Sequence, residues 1–197
     1  MNQTILALLA LMLTTSMSFS QQSATIFTYD KYIDDELEVM ASSVALHVIE
    51  MTGAKAFDER TKPASMLTLG SPINSDDFSA AGAFGEATVC DLDQPYLNAS
   101  GCDDMDDVHM GAGIWQVVPF NLVAGTTLDF DVNVQVFYVD DTDMDTVLLG
   151  AKSDHKKVIV TVRSPRHVKQ QRYTDGFVTL SRVFSYSEVR ALNRAGL

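Results

Sequence analysis

The densest group of ionisable side chains in this chain is acidic. Asp103, Asp104, Asp106 and Asp107 crowd directly behind Cys102. Carboxylates packed this closely repel one another unless a cation or a lysine ammonium neutralises them. Calcium takes about six to eight oxygen ligands and suits such a set. The four aspartates are therefore candidate ligands for Ca2+, the one cofactor the sequence suggests; the alternative is an acidic turn facing water. A second run, Asp141-Thr-Asp143-Met-Asp145, opens like a calcium loop. Thr146 and Lys152 stand where that loop carries its sixth-position Gly and twelfth-position Glu. His109, near Asp106, reads as half of a metal or catalytic pair or, more plainly, as a polar surface residue. Trp115 with Phe120, and Tyr96, read as a sugar platform or as core and loop anchors. No G-x-S-x-G elbow, Walker loop or H-E-x-x-H is present, so an enzyme is not expected. Asn98-Ala-Ser100 matches the N-glycosylation sequon.

Two cysteines, Cys90 and Cys102, frame a short loop. In an exported chain they are expected to pair as a disulfide, and a metal site would need more soft ligands beside them. The net charge of −12 lacks the basic footprint that nucleic-acid binding needs. The charge is also segregated. Residues 1–151 hold 23 acidic and four basic side chains, a balance of −19, and residues 152–197 hold ten basic and three acidic, a balance of +7. Opposite patches suit head-to-tail association between identical copies; the plainer reading is solubility charge.

The elements that must carry these residues follow from periodicity. Phe130, Val132, Val134, Val136 and Tyr138 alternate with polar residues and predict a half-buried strand. The turn Asp140-Asp-Thr-Asp follows. Val147-Leu-Leu149, Lys157–Val162 and Phe177–Tyr186 are predicted as further strands, with turns at Ser164-Pro and Asp175-Gly176, which together make an antiparallel meander. Ala54 to Pro119 reads as loop-rich, with a short strand at Met66–Leu69. Toward the N-terminus, Ile33, Leu37, Met40, Val44, Val48 and Met51 recur at helical spacing, with His47 at the edge of the stripe. No Pro or Gly interrupts residues 1–52, and Gly53 is placed to stop the helix. One helix from about Thr4 to Met51 would be roughly 70 Å long. Its second half can cover the sheet, giving an α+β fold: a long N-terminal α-helix packed on a C-terminal antiparallel β-sheet.

The first 29 residues carry no charge. Ile5, Leu6, Leu8, Leu9, Leu11, Met12, Leu13 and Phe19 dominate this stretch, and a helix apolar all round must be buried in lipid or in other protein. A cleaved signal peptide ending near Ser20 is one reading, but Met1-Asn2-Gln3-Thr4 offers no positive start. Ile5 to Phe27 exceeds the ~20 residues that span a bilayer. Thr14, Thr15, Ser16, Ser18 and Ser20 suit close helix–helix approach. The expected organisation is a hydrophobic helix over residues 1–29 and a globular head over 30–197.

A half-naked helix on an antiparallel sheet resembles the type IV pilins. His47-Val-Ile-Glu-Met-Thr-Gly-Ala-Lys-Ala-Phe-Asp-Glu59 resembles the end of the first helix in minor pilins of the mannose-sensitive haemagglutinin type. Cys102-Asp-Asp-Met-Asp-Asp-Val-His109 resembles their Asp-Asp-Val-Asp-Asp-Tyr segment, and Lys157-Val-Ile-Val-Thr-Val162 their following strand. The resemblance implies a structural subunit of an extracellular, cell-surface filament, a helical homopolymer of identical chains. It implies residence in the inner membrane before assembly, and handling by a pilus assembly machinery. One departure stands out: pilins begin Phe-Thr-Leu-Ile-Glu, with a fifth-residue Glu that pairs with a neighbour's amine, whereas this chain has Ile5. The rival expectation is a secreted monomeric β-rich binding or adhesive domain freed after Ser20.

Overall fold

A computed structural model describes residues 2–58, 61, 78, 90, 92, 102, 104–122, 125–164 and 178–187. The fold is α+β, a long N-terminal helix and a four-stranded antiparallel sheet. The chain divides into two compact units, Met1–Val39 and Met40–Leu197. The division falls inside a single unbroken helix, α1 (Asn2–Gly53).

In the second unit, strands β1 (Gln116–Asn121), β2 (Thr127–Tyr138), β3 (His155–Arg163) and β4 (Val178–Ser185) lie in the order β1-β2-β3-β4. Every pairing is antiparallel. Period-two alternation builds the core face. Phe130, Val132, Val134, Val136 and Tyr138 of β2 are fully buried, as are Val158, Val160 and Val162 of β3. The last turns of α1 cover this face. Ala41, Val44, Ala45, Val48, Ile49 and Thr52 are buried there, so two alanines sit at the centre of the stripe and let the helix approach closely. Ile33, expected on the stripe, is instead 41% exposed, and His47 is exposed rather than at the core edge. Gly53 ends the helix as anticipated. Its φ is not positive; a Cβ there would overlap the ring of Phe184 on β4, so closeness of approach is what the position requires.

One expectation is corrected. Val147–Leu149 is no strand: Val147 makes one bridge to Val139, and Leu149 is 92% exposed. The acidic loop before it curls into local turns, with Asp140 Oδ1 accepting from the Thr142 and Asp143 amides and Asp143 from the Asp145 amide. Such side-chain-to-backbone bonds compete with a sheet ladder. The period of two that sets in from Ile114 begins with β1, which overlaps the end of the region read as loop-rich to Pro119. Pro119 is tolerated because β1 is an edge strand of this sheet. Where β1 ends at the Gln116–Val132 pair, the preceding segment continues the edge. The Met110 amide donates to Val134 O at 2.8 Å, and the Val136 amide donates to His109 Nδ1 at 2.9 Å. The predicted strand at Met66–Leu69 and the turn at Asp175-Gly176 lie outside the described residues.

Candidate functional site

The first candidate is the uncharged part of α1. Ile5, Leu6, Leu8, Leu9, Leu11, Met12, Leu13 and Phe19 are all more than half exposed, from 54% at Ile5 to 74% at Met12. Met17, Ile26 and Phe27 are equally open. Hydroxyls in this stretch turn back on their own helix. Thr14 donates to Ala10 O and Leu11 O, Thr15 to Leu11 O, Thr25 to Gln21 O and Thr28 to Ala24 O, at 2.8–3.0 Å. These four threonine hydroxyls thus find acceptors within the helix, which suits an environment free of water. It is also long and apolar enough to cross a membrane.

The second candidate lies in the core of the second unit and was not anticipated. Lys156 is fully buried. It follows from parity: on β3, Lys156 is in phase with Val158, Val160 and Val162, so the alternation that buries the valines buries the lysine as well. Its cross-strand neighbours are Tyr138 and Phe184. The ammonium contacts Asp106 Oδ1 at 2.6 Å, donates to Phe57 O and stands 3.7 Å from Asp58 Oδ2. It sits 4.6 Å and 4.8 Å from the ring centres of Phe57 and Tyr138, a cation–π arrangement. Tyr138 OH donates to Asp58 Oδ2 at 3.2 Å. The rings of Phe78 and Tyr186 pack tilted against Phe57, with centres 5.2 and 5.8 Å away.

This cluster accounts for the aspartates behind Cys102. Asp104 and Asp106 are 2% and 6% exposed, so the water-facing alternative does not hold for them. Asp104 Oδ1 accepts from the amides of Asp106 and Asp107 at 2.9 and 3.1 Å, and Asp107 Oδ2 accepts from the Asp104 amide. These bonds shape the 3-10 turn Asp106–Val108, whose entry is pinned by Met105 N–H to Ala56 O at 2.9 Å. Burial first, then the Asp107 charge, raises the Asp104 carboxyl to about 6. Burial raises Asp106 to about 7 against the pull of Lys156, and burial also pushes the Tyr138 phenol strongly upward. Lys156 supplies a cation that Asp106 meets. Among the described residues no group of three or more His, Cys, Asp or Glu side chains is placed to hold a metal ion; Asp103 lies outside them.

The remaining candidates are dispersed. In the second acidic run Asp141 pairs with His155 and Asp145 with Lys157. His109 is half-buried, its Nδ1 accepts from the Val136 amide, and burial lowers its pKa. Trp115 carries the Arg163 guanidinium over its ring at 3.5 Å, while Phe120 packs edge-on to Phe130; the two do not form one platform. Tyr96, Asn98 and Ser100 are outside the described residues. Cys90 and Cys102 form a disulfide, and Lys55 Nζ donates to Cys102 O at 2.6 Å. Comparison with protein-family models, curated proteins and solved structures finds no match.

Proposed function

We propose that this chain is a pilin-like subunit of an extracellular filament, assembled through its hydrophobic N-terminal helix. The observation that carries the proposal is the uncovered apolar surface running from Ile5 to Phe27 on a continuous helix, hydroxyls bonded back to their own carbonyls. Leaving so many large side chains in water opposes solubility at ~25 cal/mol per Å2 of apolar area. Lipid before assembly and identical helices after it would relieve that penalty. The sheet and the final turns of α1 form the folded head, with the disulfide and the Lys156 cluster stabilising its loops. No acidic side chain precedes Asp30 on this helix, so its contacts with neighbouring helices rely on side-chain packing. An assembly machinery in the inner membrane would extract and stack the subunits.

The mature N-terminus tests the proposal. Mass spectrometry of the chain from its native cell surface is expected to find residues 5–20 retained, and sheared surface fibres to contain it. A mature chain starting at Gln21 would identify a secreted domain and sink the filament reading.

A further inference from the structure

We propose that Lys156 and Asp106 condense into an intramolecular amide, a covalent tie between β3 and the 3-10 turn Asp106–Val108. The reacting groups are already in contact, at 2.6 Å, and both are buried. One amine faces two buried carboxyls, Asp106 and Asp58, with Asp104 in the same turn. Charge buried away from water is disfavoured. Condensation removes one positive and one negative charge together.

Three features of the pocket favour the reaction. Phe57 and Tyr138 flank Nζ, and Phe78 and Tyr186 close the aromatic wall behind, which limits the water that would reverse it. Fixed contact replaces a bimolecular encounter, an advantage worth effective molarities of about 10^5 M or more. Asp106 Oδ2 is buried and has no hydrogen-bond partner among the described residues; loss of a carboxyl oxygen as water removes that unmet acceptor. The amide keeps one N–H, for which Phe57 O is already in place.

The step balances without an oxidant or a co-reactant. The ammonium gives a proton to Asp58, which is held by Tyr138 OH at 3.2 Å. The freed Nζ lone pair attacks Asp106 Cγ and the C–N bond forms. Asp58 passes that proton to a carboxyl oxygen of Asp106, takes a second proton from the nitrogen now bonded to Cγ and delivers it to the same oxygen. The C–O bond breaks, one water leaves, and ammonium plus carboxylate have become amide plus water. Asp58 acts as the proton relay and is regenerated.

Intact mass of the full chain under denaturing conditions tests this. The expected mass is short by one water, beyond the hydrogens lost to the disulfide. Proteolysis is expected to yield a branched peptide joining Lys156 to Asp106, absent from Lys156→Arg, which should show the full mass. Asp58→Asn should slow the appearance of the product by about a hundredfold or more. Full mass in the wild-type chain overturns the proposal. So does a water loss that maps to one linear peptide, or a branch from Lys156 to Asp58.

Discussion

At the residue scale, Asp104 shows two demands meeting on one side chain. The turn needs an acceptor for the amides of Asp106 and Asp107, while the core penalises a charge. Its carboxyl is raised to about 6 from the ordinary 3.8. A raised acid binds its proton more tightly in the folded state, so its contribution to stability is full below about pH 4 and is lost as pH rises through 6. Asp104→Asn keeps the acceptor and never ionises. It should match wild type near pH 4 and exceed it at pH 8 by up to about 3 kcal/mol. Denaturant unfolding at the two pH values measures this; equal differences at both would contradict it. The Lys156 charge lowers the Asp104 carboxyl, so its loss in an amide would raise that carboxyl further and leave the direction of the result unchanged. The aspartates drew notice in the sequence because they are adjacent. Lys156 and Asp58 did not, since they lie far from one another along the chain and meet only through folding. One signal was available: Lys156 continues the period of the β3 valines.

At the element scale, periodicity carried α1, β2 and most of β3 and β4, because burial on one face leaves a regular trace. It misled where composition overrode period. Val147–Leu149 has strand residues, but the aspartates before it close local turns. Pro119 sits within β1, an edge strand in which a missing N–H is harmless. The helix stripe was traced through large residues and missed Ala41 and Ala45, which are fully buried. Gly53 tests how closely α1 meets β4. Gly53→Ala is expected to destabilise by about 1–3 kcal/mol, since a Cβ overlaps the Phe184 ring. In a Phe184→Ala background the same change should become neutral or stabilising by up to about 1 kcal/mol, the helix-propensity gain. A double-mutant cycle reads this directly; an unchanged cost in both backgrounds would mean that the contact does not set it.

At the scale of the whole molecule, the uncovered helix is the feature that a monomer in water explains least. If it packs among identical helices, a charge placed on it has no partner and no water, a condition far costlier than in an exposed helix. Leu9, 55% exposed in the single chain, separates the cases. Leu9→Lys should leave the head folded, with unchanged near-ultraviolet dichroism and an intact Cys90–Cys102 disulfide, because Leu9 and the disulfide belong to different units. Surface fibres should nonetheless be lost. Within a membrane the same lysine costs only about 2.5–3.5 kcal/mol on insertion scales, so the chain should still reach the membrane fraction and accumulate there. Leu9→Ile, which conserves volume and apolarity, should keep normal fibres. Fibres of ordinary yield built from Leu9→Lys chains would show that this surface does not form the filament core.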